Sequence, residues 1–96
     1  MHEIRKRASA EEDLIGIWSY TFAQWGPQQA DAYLDRLAQG IAIIAENPLI
    51  GVNCDSIRLG YRRFQVKHHM VYYRVQPGQI EIVRVLHEEM EPDRHL

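Results

Sequence analysis

IRLGYRRFQVKHHMVYYRVQPGQIEIVRVLH, residues 57–87, reads as three consecutive strands. Gly60 opens the first, which carries Tyr61, Arg62, Arg63, Phe64, Gln65 and Val66. Val71, Tyr73 and Val75 alternate through the second, and Ile80, Ile82, Val83, Val85 and Leu86 fill the third. β-branched and aromatic residues dominate, as strands require. Between the last two runs stands Pro77-Gly78: proline presets φ at the first central turn position, and glycine accepts the positive φ of the second. The third run is apolar on both alternations at its centre. A strand with one wet face alternates cleanly, so this one is expected to be central in its sheet and covered on both sides.

Charge divides the chain. From Arg58 to His87 there are six Lys/Arg (Arg58, Arg62, Arg63, Lys67, Arg74, Arg84) against one acid, Glu81. Residues 8–57 hold seven acids (Glu11, Glu12, Asp13, Asp31, Asp35, Glu46, Asp55) against one base, Arg36. The formal net charge of −2 therefore hides a dipolar molecule with a basic sheet, which bears on its partners.

Upstream, residues 2–7 (HEIRKR) form a short charged run with one central Ile4, suited to an edge strand because edge charge discourages stray pairing. Ser9-Ala10-Glu11-Glu12 matches a capping box. The helix it announces carries Leu14, Ile17, Trp18, Thr21, Phe22 and Trp25 on one apolar stripe, so the aromatic residues are expected in the core beneath the sheet. Gly26 ends this helix and Pro27 opens a second, where the missing N–H costs nothing. The second stripe is Ala30, Tyr33, Leu34, Leu37, Ile41 and Ile44, and it stops before Asn47-Pro48. Two amphipathic helices with almost no linker fold back as a hairpin. Residues 47–56 read as a long loop, His68 and His69 as turn residues, and residues 87–96 as a polar tail with one helical turn at 88–91. The order β-α-α-β-β-β predicts a two-layer α+β domain, residues 1–96, with a helical hairpin packed on a small, mostly antiparallel sheet.

Ninety-six residues support one core of modest stability. No apolar run nears the ~20 residues that span a bilayer. The opening MHEIRKR is charged with no apolar stretch behind it, so no signal peptide is expected. Cys54, the only cysteine, cannot form an internal disulfide, which fits a reducing compartment. A cytoplasmic protein without membrane association is the reading.

Several groups of residues, in order and spacing, carry a resemblance across the chain. They are Asp13-Leu14 with Ile17 and Tyr20; Trp25-Gly26 with Gln29-Ala30 and Tyr33; Asn47-Pro48 with Gly51; Ile57-Arg58 and Gly60-Tyr61-Arg62-Arg63-Phe64; His69 with Tyr72-Tyr73-Arg74; and Arg84-Val85-Leu86-His87 with Met90 and Arg94-His95-Leu96. Together they resemble the ParE branch of the RelE/ParE toxin superfamily. The resemblance implies a bacterial toxin of a plasmid-stabilisation or stress-response type that poisons DNA gyrase. It also implies a ParD-like antitoxin whose C-terminal segment wraps the toxin in a hetero-oligomer of paired copies. Operator DNA is then contacted only through the antitoxin. The RelE branch shares the fold but cleaves mRNA on the ribosome, and fold alone does not choose between them.

Cleavage of RNA needs a base, an acid and cations on the developing phosphorane charge. His87 and His69, with Arg84 and Arg63, are the candidates for such a site. Against it, the tail carries Glu88, Glu89, Glu91 and Asp93, which repel an RNA surface. The reading therefore assigns no catalytic residues and no cofactor. It expects no metal either, since His68, His69 and His87 lack ligand spacing and a cysteine partner. Toxicity in the family is attributed largely to the C-terminal part, so target binding is assigned to Arg58, Arg63, Arg84, His87, Arg94, His95 and Leu96. Arg62 and Arg63 fall on opposite faces by strand alternation, and Arg58 and Arg84 have the alternative of pairing with hairpin acids. A basic sheet face would favour an acidic antitoxin tail.

Overall fold

The second helix organises the molecule. In the computed structural model, which describes residues 2–96, α2 (Pro27–Glu46) lays Leu37, Ile41 and Ile44 onto the sheet, each at most 4% exposed. Val71, Tyr73, Ile80, Ile82 and Val85 meet them from the sheet and complete the main core. Glycine at position 40 permits this approach, because a Cβ there would overlap the Val66 side chain. The first helix, α1 (Ala8–Trp25), joins α2 through Gly26 at φ 88°, with Pro27 at the helix start. α1 is peripheral: of its residues only Ala10 is buried, with Leu14 and Ile17 partly so.

The sheet has five strands in the order β1-β5-β4-β3-β2. β1 (Glu3–Lys6) is an exposed edge paired parallel to β5 (Gln79–His87). β5, β4 (His69–Gln76), β3 (Tyr61–Val66) and β2 (Val52–Asn53) follow as antiparallel neighbours. The two-residue β2 lies inside the segment read from sequence as a loop. It is too short to show alternation, and it forms because Val52 and Asn53 pair with Arg63 and Arg62. A buried knot anchors this segment. The Tyr73 hydroxyl donates to the Pro48 carbonyl at 2.8 Å and accepts the Gly51 N–H at 2.8 Å. Arg62 donates to the Gly51 carbonyl at 2.8 Å.

β5 lies inside the sheet, as its doubly apolar pattern predicts. Part of that pattern is a register shift: Tyr72 pairs with Arg84 but Tyr73 with Ile82, which leaves Val83 as the extra residue of a bulge. Ile80, Ile82 and Val85 join the helix-side core, whereas Val83 and Leu86 join a second cluster on the back of the sheet with Cys54, Tyr61 and Tyr72. Ile57 and Leu96 cover that cluster.

Four local expectations are corrected. No capping box forms: Arg7 is the N-cap without a side-chain cap bond, and the Ser9 hydroxyl instead donates to the Val83 carbonyl at 3.0 Å. Trp25 and Phe22 are 72% and 46% exposed rather than core, and Trp18 stacks on Phe22 while donating Nε1–H to Asp31 at 2.9 Å. Their stripe is wider than the contact α1 makes with β5, so its outer edge stays open. Third, the β3–β4 turn is Lys67-His68, and His69 belongs to the strand. Fourth, the tail's helical turn is a 3-10 turn at Pro92–Arg94, since proline suits the start of a turn better than its end.

Candidate functional site

Strand pairing sets His69 opposite His87 on adjacent strands, with ring centroids 5.3 Å apart and edge-on. Tyr33 reaches them from α2, its oxygen 2.6 Å from His69 Nδ1. The same oxygen accepts the His68 N–H at 3.3 Å. Burial first, and then the neighbouring His87 and His68, lower the His69 pKa to about 4. His87 Nδ1 accepts the Glu89 N–H at 3.1 Å.

These three side chains floor a groove of about 890 Å³, whose walls include Ile17, Tyr20 and Trp25 of α1, Leu86, and Met90 of the tail. Lys67, in the left-handed conformation at φ 53°, and His68 stand at one end, and Glu12 and Asp13 also line it. Asp13 is the structural pin. Its carboxylate takes Nε and Nη2 of Arg84 at 2.7 and 2.8 Å and the Val85 N–H at 2.9 Å. It thereby satisfies the β5 edge beyond the end of β1.

The back of the sheet carries most of the residues assigned to target binding. Arg58 donates to the Leu96 carbonyl at 2.6 Å, and Arg84 Nη1 to the His95 carbonyl at 3.0 Å, so these arginines hold the tail against the second cluster. Arg63 lies opposite Tyr72 on the same face and makes no salt bridge among the described residues. Arg94 is exposed in the 3-10 turn. Hence Arg58, Arg63, Arg84, His95 and Leu96 share one face. His87 lies across the sheet in the groove.

The nuclease set does not assemble. His69 and His87 come together, but Arg84 is spent on Asp13 and the tail, and Arg63 faces the opposite side. Among the described residues no three His, Cys, Asp or Glu cluster as a metal site. Cys54 is buried, and desolvation raises its pKa, which disfavours the reactive thiolate. The reading from residue types missed Tyr33, Tyr20 and Trp25 as groove residues. Trp25 and Tyr33 stood in the apolar stripes of the two helices, which were read as packing faces, and Tyr20 lay in neither stripe.

The family model described as ParE toxin of type II toxin-antitoxin system, parDE, matches residues 4–92. Toxin ParE1 of Mycobacterium tuberculosis is 45% identical over 89 residues, covering 92% of this chain and 91% of that protein. Toxin ParE1 of Caulobacter vibrioides is 41% identical over 96 residues, covering 100% and 99%. Toxin ParE of Escherichia coli is 34% identical over 85 residues, covering 88% and 82%. A solved structure, the chromosomal ParDE TA system from P. aeruginosa, matches with TM-score 0.82 and 20% identity over 93% of this chain and 98% of that one. That likeness establishes a shared fold.

Proposed function

Since the chain belongs to the family of ParE toxins of type II toxin–antitoxin systems, we propose that it inhibits DNA gyrase by direct binding, in the cytoplasm, and is held inactive by a ParD-like antitoxin. The observation that carries a binding rather than a catalytic mechanism is the dispersal of the polar groups. The histidine pair sits in the groove, Arg84 is consumed by Asp13 and the tail, and Arg63 stands on the opposite face. Neither arginine named for the developing phosphorane charge lines the groove that holds the imidazoles. Two separate surfaces suit two protein partners instead: the tail-bearing back face for the target and the apolar groove for the antitoxin. Among the described residues no helix is long and apolar enough to cross a membrane.

The test is a supercoiling assay, with the purified chain titrated into gyrase, relaxed plasmid and ATP. Loss of supercoiling with protein-linked linear DNA is expected. Normal supercoiling with a folded chain would overturn the proposal and favour the ribosome-dependent mRNA endonuclease.

A further inference from the structure

We infer that the groove takes a cationic amphipathic segment of the antitoxin, with bulky apolar anchors flanked by arginine or lysine. This rests on the reading that an antitoxin neutralises the toxin by covering this groove. The apolar requirement follows from the walls. Trp25 is 72% exposed, Tyr20 63% and Met90 47%, and all three line one concavity. A helix laying a side chain every third or fourth position into such a groove buries them.

The charge requirement follows from the rim, and it runs opposite to the count over the sheet. α1 contributes Glu12 and Asp13 to the lining, and in the tail run Glu88-Glu89-Met90-Glu91 the groove-lining methionine has glutamates as its chain neighbours on both sides. Two of these acids are satisfied within the chain: Asp13 by Arg84, and Glu88 by His68 at 2.8 Å and Gln65 at 3.1 Å. The side chains of Glu12, Glu89 and Glu91 make no ion pair among the described residues. Lys67 is the lysine or arginine that lines the groove. His69 adds no charge near neutral pH, because burial, and then the neighbouring His87 and His68, hold its pKa at about 4. The basic residues that made an acidic partner attractive lie elsewhere: Arg58, Arg63 and Arg84 on the back face, and Arg74 with Arg7 around Glu81. Rim charges of this kind select between partners more than they add affinity.

Three labelled helical peptides of about 16 residues, sharing one leucine and phenylalanine pattern, test this. They differ only in four flanking residues, all Arg, all Gln or all Glu. Anisotropy with the intact chain at low salt is expected to rank Arg over Gln over Glu, with at least about a tenfold gap between the extremes that narrows as salt screens the rim. A Glu12→Lys, Glu89→Lys, Glu91→Lys variant with an unchanged melting temperature should invert the order, and Trp25→Ala should weaken all three. Equal binding of the Arg and Glu peptides, preference for Glu, an order unmoved by the charge reversal, or no binding at about 100 μM would each overturn the inference. So would a self-associated chain that Trp25→Ala returns to monomer. The underlying reading fails separately. If antitoxin neutralises the chain without adding hydrogen-exchange protection at residues 17–25 and 85–90, the groove is not its site.

Discussion

His69 is held between Tyr33 and His87, and its surroundings set a pH response. In the unfolded chain it titrates near 6.5, and in the folded chain at about 4, chiefly because of burial. Above about 6.5 both states leave it neutral. Between about 6.5 and about 4 only the unfolded chain takes up the proton, so stability falls as pH drops, by roughly 3 kcal/mol when the loss is complete. Tyr33→Phe removes the hydroxyl that hydrogen-bonds His69 Nδ1 and accepts the His68 N–H. The variant should lose about 1 kcal/mol at pH 7. Its His69 titration, followed by NMR of the imidazole, should move upward if the phenol is the donor in that bond, because the lost bond then favoured the uncharged form. A titration unmoved in Tyr33→Phe would mean that burial and the neighbouring imidazoles hold His69 neutral without the phenol. At lower pH Glu81 acts in the same direction. Hydrogen bonding to Arg7, and then to Arg74, holds its carboxyl below the usual range. The stability it gives is present above the ordinary glutamate pKa and is lost as pH falls through the depressed one.

At the scale of elements, α1 is held to β5 by polar pins as well as by Ala10, Leu14 and Ile17. Asp13 is 14% exposed and Arg84 23%, and removing one partner leaves an uncompensated charge and an open Val85 N–H. Asp13→Ala should therefore cost about 2–4 kcal/mol, or roughly 10–20 °C in melting temperature for a domain this size. Trp25→Ala, at a 72% exposed residue, should change the melting temperature little. A thermal scan of the two variants separates pin from stripe, and equal losses would sink the distinction. The same contrast shows what the sequence could reveal. Gly26-Pro27, Pro77-Gly78 and the doubly apolar β5 act through local backbone chemistry, so boundaries and layer order were legible. β2 was not, because two residues carry no period and its pairing is purely tertiary. The capping box failed for a related reason: Ser9 found a better acceptor in the Val83 carbonyl, 74 positions away. For the site, His69 and His87 were visible as residue types. That Tyr33 joins them, and that Arg84 turns away to Asp13, depends on which strand ends the hairpin covers.

For the whole molecule, the question is which arginine reports target binding. The sequence count placed Arg63 and Arg84 together on one basic face, and both do lie toward the back of the sheet with the tail. They differ in what their loss would do. Arg84→Glu would set a carboxylate against Asp13 and release both the Val85 edge and the His95 carbonyl. Toxicity lost in that variant would report unfolding as readily as a lost contact. Arg63 has no salt bridge to break among the described residues and is only partly buried, so Arg63→Glu should stay within about 1 kcal/mol of the parent stability. If the back face contacts gyrase, this one charge reversal should weaken inhibition of supercoiling by at least about tenfold, the scale of an unpaired charge at an interface. Binding of the cationic groove peptide should not change, because the groove opens on the other side of the sheet. A folded Arg63→Glu chain that inhibits gyrase at full strength would remove the back face from target recognition and move the search to the groove rim, where antitoxin and target would then compete for one surface.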